Sequence, residues 1–210
     1  MKIKGAIFDL DGVLVDTARF HYLAWKEIAD ELGIEFTEIQ NERLKGVSRM
    51  ASLEILLEIG HKELSEQEKE ELAEKKNRQY VQMLQKLTPS DTLSGARELL
   101  EDFRSKGIKI ALGSASKNAR FILERLEIEE LFDVVVDGNA VSKAKPDPEV
   151  FLLGALGMGL RPEDCVVFED SVAGIEAGNT CGMYTVGVGK PEILKKADQT
   201  VPNLGEYHIN

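Results

Sequence analysis

The sequence predicts an α/β protein: a doubly wound parallel sheet of Rossmann-like plan, with a helical cap domain inserted after the first strand. Three observations predict it. Short, continuously apolar runs alternate with helical patterns, as strands buried on both faces of a parallel sheet require. Three of those runs end in polar side chains, and in such sheets ligands sit beyond the carboxyl ends of the strands. One long segment, about Ala18 to Lys86, breaks the alternation with charged, helical sequence and almost no strand signal.

The first run, Ile3 to Asp9 (IKGAIFD), ends in a carboxylate ahead of Gly12. Ile108 to Gly113, Phe132 to Val136 and Cys165 to Phe168 have the same character, and Tyr184 to Val188 is a weaker fifth. Ala96 to Ser105, Asn118 to Leu126 and Ala173 to Gly178 carry the helical pattern between them. In the inserted segment Tyr22, Trp25, Ile28, Ala29 and Leu32 recur at helical spacing, and Glu63 to Lys76 reads as a solvated helical face. The expected division is residues 1–17 and 87–210 as a discontinuous core and 18–86 as the cap. Placed directly beyond a strand end, such an insert can act as a lid.

The chain has 210 residues, 26 basic and 37 acidic, for a net charge of −11. That balance argues against nucleic acid or an anionic membrane as partner, since both are polyanions. An acidic protein that handles phosphate must gather its useful cations in one place. The longest uncharged apolar stretch, Val150 to Leu160, falls far short of the ~20 residues that span a bilayer. Met1-Lys2-Ile3-Lys4 leads straight into the first strand, so no export signal is expected and a cytoplasmic protein is. Cys165 and Cys181 form no disulfide framework and read as free, buried, small hydrophobes. A monomer is the default expectation.

Asp9 and Asp11 lie two apart at a strand end, so in an extended chain both carboxylates point the same way. One can attack phosphorus while its neighbour gives or takes the proton. Gly12 lets the chain turn sharply past them. Asp-x-Asp alone is weak, and a solvated turn or a helix cap explains most occurrences. The setting Phe8-Asp9-Leu10-Asp11-Gly12-Val13 after a buried strand is far more specific. Glu169-Asp170 ends a second buried strand and would repel the first pair unless a cation lay between, and hard oxygens near phosphate suit Mg²⁺. The plainer reading of Glu169-Asp170 is a cap for the following helix. Lys145, in a loop fixed by Pro146 and Pro148, can neutralise a phosphoryl group. Ser114 can hold a phosphate oxygen, or simply cap a helix.

Phe8-Asp9-Leu10-Asp11-Gly12, Ser114, Lys145 and Glu169-Asp170 resemble the four ordered motifs of the haloacid dehalogenase superfamily, and the insert resembles its helical cap. A dehalogenase proper lacks the second aspartate, so Asp11 favours phosphoryl transfer. Leu44-Lys45-Gly46-Val47-Ser48-Arg49, Ser114-Ala115-Ser116-Lys117-Asn118, Thr17, His21, Trp25 and Lys76-Asn77 resemble a branch of hexose-phosphate mutases over nearly the whole chain. The resemblance implies that Asp9 is the phosphorylated nucleophile, Asp11 the acid/base, and Ser114 and Lys145 their catalytic partners. Mg²⁺ would be held by Asp9, Asp170 and the Asp11 backbone carbonyl, with Glu169 in or beside the shell. Leu44, Gly46, Val47, Ser48, Ala115 and Asn118 would contact substrate, as would Thr17. His21 would couple sugar binding to the placing of Asp11, Trp25 would pack the sugar pocket, and Lys76 would touch the sugar.

The implied reaction interconverts β-D-glucose 1-phosphate and glucose 6-phosphate, primed by β-D-glucose 1,6-bisphosphate. The chemistry adds its own argument, since a mutase working through a bisphosphate needs two phosphate sites. Arg49, Ser116 and Lys117 can supply the distal one, a guanidinium gripping phosphate bidentately. The alternatives are a sugar-phosphate phosphatase using the same aspartates, and a non-catalytic phosphosugar sensor, against which Asp9, Asp11 and Lys145 all speak. The tail after Val201 looks shorter than the helical end of that family, which puts the sheet edge in doubt.

Overall fold

The computed structural model describes residues 3–44 and 47–208. The chain opens with β1 (Gly5–Phe8) and then runs through four helices before the alternating part begins. These are α1 (Ala18–Glu31), α2 (Glu38–Asn41), α3 (Arg49–Gly60) and α4 (Glu66–Leu84). From α5 (Ala96–Ser105) and β2 (Lys109–Gly113) onward, helix and strand alternate. The order is α6 (Ala119–Arg125), β3 (Val134–Val136), α7 (Glu149–Met158), β4 (Cys165–Glu169), α8 (Val172–Thr180), β5 (Tyr184–Val188) and β6 (Gln199–Val201).

The six strands form one sheet in the order β3-β2-β1-β4-β5-β6, every neighbouring pair parallel. β1 is central, with Phe8 in register with Leu112 on one side and Phe168 on the other. The backbone positions that follow these residues therefore lie at one end of the sheet, bringing Asp9, Ser114 and Glu169 together. Alternate residues of β1 face opposite layers, as pleating demands. Ala6 and Phe8 join a core with Phe103 and Phe168, whereas Ile7 packs with Val167 and Phe151 of α7. Phe8 stacks on Phe168 with centroids 4.6 Å apart.

The expected strands are all present. The sequence did not suggest β6, a three-residue strand (QTV) that forms the sheet edge beside β5. Beyond it, Leu204 and Tyr207 are buried, and the Tyr207 ring meets Phe168 edge-on at 4.8 Å. Leu204 and Tyr207 thus anchor the segment after β6 in the core that holds Phe103 and Phe168.

The helices between β1 and β2 build a separate apolar cluster from Trp25, Ile28, Ala29, Leu53, Leu56 and Leu57. The starts of α2, α3 and α4 are fixed by side-chain caps. Ser48 Oγ accepts from the Ala51 amide at 3.2 Å, which sets Arg49 in the first turn of α3. Ser65 and Glu68 form a reciprocal capping box for α4. Glu63 to Lys76 is solvated as expected in most positions, but Lys76 is not: it is 3 % exposed.

Candidate active site

A cavity of about 560 Å³ lies between the strand ends and the helical insert. From the sheet side come Asp9, Asp11, Ser114, Lys145 and Asp170. Ala115, Ser116, Lys117 and Asn118 line it from the loop between β2 and α6. From the insert come His21, Trp25, Leu44, Val47, Ser48, Arg49 and Lys76. Two predicted residues stand back from the wall. Thr17 is fully buried at the head of α1 beside Tyr80, and Glu169 is fully buried behind Lys145. Gly46 lies outside the described residues.

Lys145 is the hub of the sheet side. Its Nζ donates to Asp9 Oδ1 at 2.6 Å and to Glu169 Oε2 at 2.7 Å, with all three side chains buried. Burial of this kind is tolerated only with close pairing. Glu169 is braced in turn: its Oε1 accepts from the Ser171 hydroxyl at 2.8 Å and from the amides of Asp170 and Ser171. Ser171, rather than Glu169 or Asp170, caps α8, accepting from the Gly174 amide. A Cβ at Gly174 would lie 2.0 Å from Glu169 Oε2, so only glycine leaves room for the brace. Gly12 has φ +82°, and a Cβ there would lie 2.2 Å from Asp170 Oδ2, so that turn too requires glycine.

Burial, then repulsion from Glu169, raises the Asp9 carboxyl from its ordinary 3.8 to about 7 despite the pull of Lys145. Burial raises Asp11 to about 6, with Lys76 and Lys145 opposing. Asp9, Glu169 and Asp170 each offer a carboxylate oxygen, all within 4.8 Å of one another. Three hard oxygen donors converging beside a single lysine suit a divalent cation such as Mg²⁺. Glu169 is turned away from the cavity, with both oxygens accepting hydrogen bonds, whereas Asp9 and Asp170 line the cavity and are the better placed side chains to hold it. The Asp11 side chain lies outside that group, and its Oδ1 is buried with no hydrogen-bond partner among the described residues.

His21 Nε2 approaches Asp11 Oδ2 at 3.8 Å, and His21 Nδ1 lies 2.8 Å from Lys76 Nζ. An ammonium can only donate, so with Lys76 charged His21 accepts at Nδ1 and presents Nε2–H to Asp11. Burial, with help from Lys76 and Arg49, holds the His21 pKa well below its usual value and keeps the ring neutral. Lys76 sits over the rings of Tyr80 (4.5 Å) and Trp25 (5.1 Å), and burial lowers it from 10.5 to about 7. Of the two readings of Lys76, solvated surface or sugar contact, its burial on the cavity wall removes the first.

On the insert side Arg49 Nη1 donates to Glu74 Oε1 at 2.7 Å. That pair uses one donor of the guanidinium and leaves the rest of its fork available to an anion. Across the cleft, Ser116 and Asn118 are folded into the loop by short turns: Ser114 Oγ accepts from the Ser116 amide and Ser116 Oγ from the Asn118 amide. Sequence reasoning gave no role to Glu74, Asn77 or Tyr80, which also line the cavity. Their spacing of three places them on one face of α4, and that periodicity was the signal available. Cys165 is buried and free as expected, whereas Cys181 is only half-buried.

A parallel sheet with two aspartates, a serine, a lysine and an acidic pair at its strand ends, roofed by a helical insert, defines a class. The family model for haloacid dehalogenase-like hydrolases matches residues 3–182, and the chain belongs to that family. Within it, the chain is 46 % identical to a β-phosphoglucomutase of Bacillus subtilis, over 99 % of this chain and 92 % of that one. The crystal structure of a β-phosphoglucomutase from Clostridium difficile superposes with a TM-score of 0.95 at 45 % identity, covering 98 % of this chain and 93 % of that one. A phosphorylated carbohydrates phosphatase of Thermotoga maritima is 38 % identical, over 88 % of this chain and 84 % of its own.

Proposed function

We infer that the protein is a β-phosphoglucomutase, interconverting β-D-glucose 1-phosphate and glucose 6-phosphate through a phospho-aspartate. The observation that carries this reading is the second set of phosphate donors, Arg49, Ser116 and Lys117, in the same cavity as Asp9. A phosphatase needs one phosphate site and a mutase needs two. The identity to the Bacillus subtilis enzyme over nearly the full chain supports the same conclusion.

Asp9 is the nucleophile, taking a phosphoryl group from β-D-glucose 1,6-bisphosphate. β-D-Glucose 1-phosphate then binds with its phosphate held by Arg49, Ser116 and Lys117. Its 6-hydroxyl attacks phospho-Asp9 while Asp11 removes the hydroxyl proton, a role suited by a carboxyl raised toward neutrality. The bisphosphate so formed turns over and presents its 1-phosphate to Asp9. Asp11 then returns its proton to the departing oxygen, which leaves glucose 6-phosphate. Lys145 and Ser114 steady the charge on the transferred phosphoryl oxygens. Mg²⁺ held by Asp9, Asp170 and the Asp11 carbonyl would add positive charge at that phosphoryl group. Glu169 aims Lys145, and His21 with Lys76 aims Asp11.

Residues 18–86 act as the cap and 1–17 with 87–210 as the core, and the closed cap excludes water, which would otherwise hydrolyse the acyl phosphate. The acidic donor set accords with an enzyme of small sugar phosphates, and no helix among the described residues is long and apolar enough to cross a membrane; a monomer is the default reading. Two free cysteines accord with the reducing cytoplasm. The test is a product assay with β-glucose 1-phosphate, Mg²⁺ and a trace of the bisphosphate. Glucose 6-phosphate should exceed free phosphate many-fold. Release of free phosphate without interconversion would instead make the protein a sugar-phosphate phosphatase.

A further inference from the structure

One hydrogen bond joins the two walls of the cavity through neutral amides: Asn118 Nδ2 donates to Asn77 Oδ1 at 3.0 Å. Asn118 ends the phosphate loop at the N-cap position of α6, while Asn77 lies on the cavity face of α4. The contact spans 41 residues and is partly buried. Asn118 has two amide hydrogens, and giving one to Asn77 leaves the other for a phosphate oxygen. Its backbone is already set, because the Asn118 amide donates to Ser116 Oγ at 3.2 Å. The bond to Asn77 therefore reports directly on whether α4 lies against the loop.

We propose that Asn77 is a positioning residue that latches the helical insert onto the phosphate loop through Asn118 and so shields phosphorylated Asp9 from water. The proposal rests on the reading that Asp9 carries the phosphoryl group. Two fates then compete. In transfer, a sugar hydroxyl oxygen forms the new P–O bond and the bond to the Asp9 carboxylate breaks, its electron pair staying on the carboxylate. In hydrolysis, a water oxygen attacks the same phosphorus, releasing inorganic phosphate and a proton. The latch favours the first by keeping the second nucleophile out.

The chemistry of the latch suits a lid that opens at every turnover. A neutral amide pair has no titrating group, so it holds equally across the working pH range. A hydrogen bond of this kind is worth about fivefold in an equilibrium constant, enough to bias closure without trapping product. By contrast, the charged cavity side chains of α4 hydrogen-bond within the insert: Glu74 with Arg49 and Lys76 with His21.

The test compares the wild-type protein with Asn77→Ala, Asn77→Ser and Asn77→Asp. Each is labelled with β-D-glucose 1,6-bisphosphate and chased with β-D-glucose 1-phosphate as the acceptor, and two quantities are read: the lifetime of phospho-Asp9 without acceptor, and the partition in the chase between glucose 6-phosphate and free phosphate. Asn77→Ala and Asn77→Ser should shift the partition about fivefold toward free phosphate and shorten the lifetime to match. Asn77→Asp keeps the acceptor oxygen, so its lifetime should return toward wild type whatever happens to KM. A lowered melting temperature with unchanged partition would reduce Asn77 to helix stability and overturn the proposal, as would an Asn77→Asp variant as leaky as Asn77→Ala. The lifetime readout is separate from the mutase reading. A wild-type protein that forms phospho-Asp9 but no glucose 6-phosphate defeats that reading while the latch is still measured.

Discussion

Lys145 and Asp9, 136 residues apart in sequence, meet at 2.6 Å in the buried centre of the site, and the same ammonium reaches Glu169 at 2.7 Å. One cation thus serves two buried carboxylates. The arrangement aims Lys145 at the position where a phosphoryl group on Asp9 would sit.

Removing that cation should be costly. Lys145→Met leaves Asp9 and Glu169 buried without their partner, a loss of about 3–5 kcal/mol in stability. Denaturant unfolding of the metal-free protein measures it, and the variant should also fail to form phosphoenzyme. A variant as stable as wild type would show that the two carboxylates are protonated or solvated.

Arg49→Ala separates the two phosphate sites. The variant should lose most glucose 6-phosphate formation, by a factor of about a hundred for one lost charge-assisted, bidentate grip. It should still become phosphorylated at Asp9, since Arg49 belongs to the insert side of the cavity. Unchanged mutase turnover would remove the two-site argument.

What the sequence made legible was the chemistry at the strand ends. Asp9, Ser114, Lys145 and Asp170 each follow a recognisable apolar run or stand just before two prolines, and the parallel register brings the strand-end residues to one edge of the sheet. The brace was not legible. Glu169 and Asp170 are adjacent in sequence, and only the fold shows Glu169 turned inward to Lys145 and Ser171 while Asp170 faces the cavity. Within α4 the burial of Lys76 was hidden by a run of glutamates and lysines on the solvent face. β6 was missed because three residues, two of them polar, carry no periodicity, and its place is set by pairing with β5 and by Leu204 and Tyr207 behind it. Asn77 and Asn118 are neutral side chains whose meeting depends wholly on the packing of α4 over the loop.

The acidic cluster gives the metal-free protein a distinctive pH dependence. Asp9 and Asp11 have folded pKa values raised from 3.8 to about 7 and about 6, so the folded state holds protons that the unfolded chain has released. Stability from these groups is therefore lost as pH rises between about 4 and 7. Mg²⁺ offsets the charge, so the rise in melting temperature at saturating Mg²⁺ should be larger at pH 7.5 than at pH 5. At a hundredfold excess over Kd the stabilisation is about 2.7 kcal/mol. Thermal scans with and without Mg²⁺ at the two pH values check it, and an equal or reversed effect would contradict the assignment.

Lys76 trades stability for function. Its folded pKa is depressed from 10.5 to about 7 by burial, so its cost is full below about 7 and fades as pH rises toward 10.5. Lys76→Met should therefore raise the melting temperature at pH 6, with the advantage shrinking by pH 10. Turnover should fall, because His21 loses the partner that orients it. A variant less stable than wild type at pH 6 would mean that the Trp25 and Tyr80 rings more than repay the burial.

The central claim is a phosphoryl group that resides on Asp9 and leaves for a sugar rather than for water. It is tested most directly by labelling the protein with bisphosphate, locating the label by mass spectrometry, and chasing it with β-glucose 1-phosphate. The label should lie on Asp9, be absent from Asp9→Asn, and pass to the sugar as bisphosphate and glucose 6-phosphate. Label on another residue, or its release as inorganic phosphate in the chase, would contradict the account.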